Sequence, residues 1–91
     1  MSGLPFSFNF GRGNRAHGVR VGDVTLYFSY ETIIAFEAPG YGLVVSENVW
    51  SMTTGRHLNA INPNKSIRLP RAKFEKLLDE VLEKYHLRGN Y

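Results

Sequence analysis

Cysteine is absent from the 91 residues. Its absence excludes disulfide cross-links, cysteine-ligated zinc, iron–sulfur clusters and thiol nucleophiles together. The three histidines, His17, His57 and His86, lie too far apart for a local metal motif, and no carboxylate cluster accompanies them. We therefore expect neither a metal site nor a cofactor.

Long apolar runs are also missing. No window approaches the roughly 20 apolar residues that a membrane helix needs. Residues 1–10 lack the charged start and the continuous apolar stretch of a signal peptide. An intracellular home is the default for such a chain, and we expect a cytoplasmic protein without membrane contact.

Acidic residues are missing from two segments, 1–22 and 48–74, although the net charge of the chain is only +3. If these segments are neighbours in the fold, they form one basic face of the kind that attracts phosphate or an acidic protein. The alternative is scattered, solvated charge. The candidate nucleic-acid-binding residues are Arg12, Arg15, Arg20, Arg56, His57, Lys65, Arg68 and Arg71.

The N-terminal half has the alternation typical of strands. A chain of this length supports one core, so residues 1–91 are predicted to form a single domain, with residues 1–20 able to form a flexible extension. The glycine-rich segment 11–18 is predicted to be a loop that follows a short strand-like alternation of phenylalanines. Three further β-forming stretches are predicted at residues 24–30, 32–37 and 43–45, and Pro39 and Gly40 suit a type II turn between the last two.

The C-terminal segment has helical periodicity. Its apolar residues recur at i, i+3, i+4, i+7, i+8 and i+11, with Pro70 before them and Gly89 after them. We predict an α+β fold in which a small antiparallel sheet of three or four strands packs against this single amphipathic helix. The apolar stripe consists of Phe74, Leu77, Leu78, Val81, Leu82 and Tyr85.

Residues 48–59 are polar apart from the single tryptophan, Trp50, and Thr53 or Thr54 could cap a short helical turn there. We interpret Trp50 as an anchor at the edge of the core, and the alternative is a platform on which a base stacks while Arg56 and His57 meet phosphate.

Serine and threonine hydroxyls beside His57 suggest a nucleophile and a base, namely Ser51, Thr53 and Thr54 with that histidine. The sequence shows no sign of the strained elbow or the third orienting group that such chemistry needs. The glycines Gly11 and Gly13 lack the rest of a dinucleotide fingerprint. We therefore predict that the protein is not an enzyme.

Four runs of the sequence carry a resemblance: 28–32 (FSYET), 35–36 (AF), 45–51 (VSENVWS) and 53–59 (TTGRHLN). In these runs the chain resembles a family of small uncharacterised proteins encoded by phages, archaeal viruses and plasmids. The resemblance covers about residues 21–85, and the run from Trp50 to Asn59 is its most specific part. It implies an origin in a mobile element, and hence a host cytoplasm, and it implies no activity.

These observations predict a non-enzymatic binding protein of a virus or plasmid that contacts nucleic acid through a basic face. The alternative is a binder or inhibitor of a host or viral protein, which would use an exposed sheet edge or an aromatic patch.

Overall fold

A single sheet of six strands runs through the whole computed structural model, which describes residues 6–10 and 15–89. The strands lie in the sheet in the same order as in the chain. Neighbours from β1 to β5 pair antiparallel, and β6 pairs parallel to β5. The strands are β1 Phe6–Asn9, β2 Ala16–Val21, β3 Val24–Ser29, β4 Thr32–Ala38, β5 Gly42–Ser46 and β6 Arg68–Leu69.

Two helices complete the fold, α1 Met52–Ile61 and α2 Arg71–Lys84, with a short 3-10 turn, Lys65–Ile67, between them. The prediction of three or four antiparallel strands and one helix was therefore wrong, although α+β describes the mixture. The strand β1 coincides with the predicted strand-like alternation of phenylalanines, within the part of the chain that could have been an extension. The strand β2 was not predicted, and Ala16–Gly18 of the expected loop is paired in it. Residues 11–14 of the predicted loop lie outside the described residues.

An additional residue in β4 places apolar side chains on both faces of the sheet. Tyr27 pairs with Ala35 and Phe28 pairs with Ile33, so Ile34 is a bulge with no partner of its own in β3. Ile33 lies in the cluster of buried residues on one face, whereas Ile34 and Ala35 both lie in the cluster on the other. The central strands are consequently buried on both faces.

The helix α2 covers the larger of these two clusters. Phe74, Leu78, Val81 and Leu82 are buried there with the side chains of β3, β4 and β5, and the rings of Phe36 and Phe74 lie 5.6 Å apart. The predicted apolar stripe is confirmed, with Leu77 and Tyr85 at its half-buried margin.

The helix α1 covers the smaller cluster, to which it contributes Leu58. Its cap is Ser51, whose side chain accepts a hydrogen bond from the backbone N–H of Thr54, so the predicted caps were two or three residues too late. Neither helix has the length or the apolar content to cross a bilayer, within the part of the chain that the structure describes.

Both ends of α2 are closed by specific hydrogen bonds. A carboxylate oxygen of Glu47, just after β5, accepts from the backbone N–H of Arg71 at 2.8 Å, which satisfies a donor of the first turn and places negative charge near the positive end of the helix. At the other end the N–H groups of His86 and Leu87 donate to the carbonyls of Glu83 and Leu82. This is a Schellman motif with His86 in the left-handed conformation, φ 59°.

The part of the sheet formed by β1, β2 and β3 is covered by its own aromatic side chains. The Phe8 ring lies directly over Gly18, its partner in the β1–β2 register, and meets the Tyr27 ring edge-on at 6.0 Å. A side chain at position 18 would occupy the space of this ring, so the glycine is required by packing.

We expect Gly18→Ala to lower the free energy of unfolding by about 1 kcal/mol, because the added methyl group displaces the Phe8 ring and the edge strand can yield only in part. Urea denaturation measures the change. In a Phe8→Ala background, where the space is already vacant, the same substitution should cost less. Equal costs in both backgrounds would show that the overlap is not the cause.

We expect His86→Gly to raise the free energy of unfolding by about 0.5–1 kcal/mol, because glycine adopts a positive φ without the steric cost that histidine meets. Lys76→Gly, at an exposed position inside α2, is the matched control and should lower it by about 1 kcal/mol. If both glycines destabilise the protein equally, strain at His86 is not significant.

Candidate functional site

Exposed apolar side chains are concentrated at one place in the molecule. The described residues present five exposed large apolar side chains. Four of them come from the β3–β4 turn, the connection between β5 and α1, and the first residue of α1: Tyr30, Val49, Trp50 and Met52. We call these four residues the aromatic rim. The fifth, Phe6, lies on the edge strand β1.

The backbone holds Tyr30 at the rim at an energetic cost. It follows Ser29 in the two-residue connection between β3 and β4, with φ 56°, a conformation that a bulky residue rarely adopts. Its backbone N–H donates to the carbonyl of Arg15 at 2.7 Å, and the guanidinium carbon of Arg15 lies 5.3 Å from the centre of its ring. Strained residues of this kind are concentrated at functional sites.

Side chains before α1 hold Trp50 in place. The Asn48 side chain accepts from the backbone N–H of Trp50 and donates to the carbonyl of Ser51, each at 3.0 Å. Trp50 nevertheless remains 38% exposed. It is therefore less buried than the anchor at the edge of the core that we expected. What packs on the indole is a guanidinium, because the Arg71 carbon lies 4.8 Å from its centre.

Arg71 joins the rim to the core. Its guanidinium also lies 4.9 Å from the Phe74 ring, donates to the carbonyl of Ile33 at 3.0 Å and pairs with Glu75 at 3.1 Å. The side chain is only 20% exposed. Through these contacts Arg71 holds the indole in place. Little of the Arg71 guanidinium remains available to a phosphate group.

A cavity of about 190 Å³ opens between the β3–β4 turn and the start of α1. It is smaller than the roughly 300–1,000 Å³ of a site for a drug-sized ligand, so it suits one side chain or one ring. The rings of Tyr30 and Trp50 contribute to its walls, and no formally charged residue of the described part of the chain does. Its lining residues are Ser29, Tyr30, Thr32, Ile34, Trp50, Ser51 and Thr54.

A buried hydrogen-bond network lies behind this cavity. The Ser29 hydroxyl lies 2.7 Å from Nδ1 of His57 and 3.1 Å from the Thr54 hydroxyl, and all three residues are buried. The rings of Phe10 and Tyr30 pack beside the imidazole. Burial lowers the pKa of His57 below its ordinary value of about 6.5, because the charged form loses its hydration.

The structure separates the candidate nucleic-acid-binding residues into two groups. Arg20, Arg68 and Arg71 are bonded to other side chains or to backbone, and His57 is buried. Arg15, Arg56 and Lys65 are exposed. Arg12 lies outside the described residues.

Part of the site was not predicted from the sequence. The pairing of Ser29 with His57 joins residues 28 positions apart, and no local spacing indicates it. Among residues 6–10 and 15–89, no group of three or more histidines and carboxylates is arranged to hold a metal ion.

A family model matches most of the chain. This family model, with the description "Family of unknown function (DUF8033)", matches residues 7–76, which include the whole rim, the cavity lining and His57. No curated protein and no solved structure matches the chain.

The lowered pKa of His57 predicts a dependence of stability on pH. The unfolded chain binds this proton at about pH 6.5 and the folded chain only at lower pH, so the free energy of unfolding should fall as pH drops below 6.5. Urea denaturation between pH 7.5 and 5 measures the slope. His57→Gln should remove this part of the slope, and an unchanged slope in that variant would contradict the assignment.

Proposed function

We propose that this chain, which belongs to the family of unknown function DUF8033, is a non-enzymatic module that binds a partner protein through the aromatic rim. The proposal rests on the exposure of all four rim residues, of which Tyr30 and Trp50 line one cavity and Val49 and Met52 lie within two residues of Trp50 in the chain. Soluble proteins seldom leave such side chains exposed together unless they form an interface.

The composition of the rim favours protein over nucleic acid. Tryptophan, tyrosine, methionine and arginine are enriched in protein interfaces, and the first two with arginine dominate their binding energy. Met52 is 80% exposed at the start of α1, where it covers nothing in the core. Such an aliphatic side chain gives a nucleic-acid backbone no electrostatic contact.

The charges around the rim indicate the chemistry of the partner. Arg15 stacks on Tyr30 at one side, and Arg56 lies one helical turn after Met52 on the same outward stripe of α1. The charge of Arg71 is matched by Glu75, whereas Glu47 accepts from the backbone N–H of Arg71. Glu31 and Glu47 are exposed as well, so the formal charges of the three arginines and three glutamates near the rim cancel, and the acidic residues of a partner would lie opposite Arg15 and Arg56.

The partner is therefore a protein segment that carries apolar or aromatic side chains for the rim and acidic residues for the two exposed arginines. The resemblance to proteins of phages, archaeal viruses and plasmids makes a host or viral protein in the cytoplasm the natural source of such a segment. Contact with nucleic acid through the basic residues is the competing function.

A random peptide library selected on the purified protein tests the proposal. We expect enriched peptides to combine aromatic or apolar residues with acidic ones. We expect Trp50→Ala to weaken their binding about 30-fold or more, as loss of an interface hot spot does. Met52→Ser, at an exposed position that the core does not use, should also weaken it without changing stability.

Phe6→Ser is the matched control, because Phe6 is an exposed aromatic residue outside the rim, and it should leave peptide binding unchanged. Failure to enrich any peptide, or enrichment that is insensitive to Trp50→Ala, would overturn the proposal. Binding of a single-stranded 20-mer oligonucleotide at low salt, abolished by Arg56→Ala and unaffected by Met52→Ser, would favour nucleic acid in its place.

A further inference from the structure

The cavity beside Trp50 has features that select one kind of side chain. We propose that it takes the phenol ring of a tyrosine from the partner segment, an inference that rests on the proposed function. Its volume of about 190 Å³ admits a single ring system. The choice of tyrosine follows from the walls, the hydroxyl groups and the missing charges.

The walls favour a flat ring. Tyr30 and Trp50 both line the cavity, and a guanidinium covers one face of each of these rings, which leaves the other face or the edge for a ligand. Aromatic rings pack on one another edge-to-face or offset, with a gain beyond that of burial alone. Ile34 adds an aliphatic contact to the same cavity.

The absence of charged lining residues disfavours an ionic ligand. Among residues 6–10 and 15–89, seven residues line the cavity, and none of these seven has a formal charge. A carboxylate or an ammonium group would lose its hydration there without a lining counter-ion, which is costly. A phenol is neutral at pH 7, because its ordinary pKa is about 10.

The hydroxyl groups favour a hydrogen-bond donor at the end of the ring. We assign to His57 the neutral tautomer in which Nδ1 accepts. In this tautomer the Ser29 hydroxyl donates to His57 over 2.7 Å and the Thr54 hydroxyl donates to Ser29 over 3.1 Å. Both hydroxyl oxygens can then still accept a hydrogen bond, and neither has a hydrogen left to donate to a ligand. A phenol O–H satisfies such a site, whereas phenylalanine leaves it unpaired.

The single tryptophan makes the test direct, because its indole N–H gives one resonance in the ¹H–¹⁵N spectrum of the full chain. We expect p-cresol, which has the tyrosine side-chain structure, to shift this resonance and the Thr54 amide with a Kd of about 1–10 mM, as fragment affinities allow. The probe 4-methylanisole keeps the ring but lacks the donor, and it should bind at least fivefold more weakly.

Two threonine variants separate the hydroxyl contact from effects on the fold. Thr54→Val should lower the affinity for p-cresol about fivefold and leave that for 4-methylanisole unchanged. Thr53→Val, the neighbouring residue outside the cavity lining, should change neither affinity. Equal affinities of the wild-type chain for the two probes, or tighter binding of uridine or phenyl phosphate, would overturn the inference.

Failure of this inference and failure of the proposed function give different results. If selected peptides require Trp50 but contain no tyrosine and tolerate Thr54→Val, the tyrosine site is wrong and the protein interface remains. If no peptide depends on Trp50, the proposed interface is wrong whatever p-cresol does.

Discussion

Burial of the central strands on both faces is the constraint on which the rest of the structure depends. The strand β4 carries an almost continuous apolar run, and its bulge at Ile34 directs Ile33 and Phe36 towards one cluster and Ile34 and Ala35 towards the other. A sheet with two apolar faces requires a cover on each. The amphipathic helix α2 supplies one, and the polar helix α1 with the aromatic side chains of β1 supplies the other.

The candidate site lies where these covers meet the end of the sheet. The β3–β4 turn presents Tyr30, the connection into α1 presents Trp50, and the first residue of α2 supplies the guanidinium that packs on the indole. The first turn of α1 thus contributes Met52 to the rim and the first residue of α2 packs on Trp50, while later turns of both helices form the core. The rim is rigidly supported, although its apolar side chains face outward, and this combination suits an interface that needs little rearrangement on binding.

Sequence patterns identified the elements that have strong periodicity and missed those that do not. The stripe of α2, the strand β3 and the Pro39–Gly40 turn, in which the Tyr41 N–H donates to the Ala38 carbonyl, all follow from local rules. The length of α1 was underestimated, because its sequence is rich in threonine, glycine, asparagine and histidine, which favour helices weakly. Its stability comes from packing. The Ser29–His57 contact and the exposure of Trp50 depend on tertiary structure, which no spacing in the chain encodes.

The order of the strands has a consequence for how the chain folds. Because β1 to β5 lie in the sheet in chain order, each of their pairings closes only a short loop, and the entropic cost of forming them is small. The pairing of β5 with β6 alone requires a crossover, which contains α1. The meander can therefore form from local hairpins, and we expect the segment that places Trp50 to become ordered with the longer-range closure.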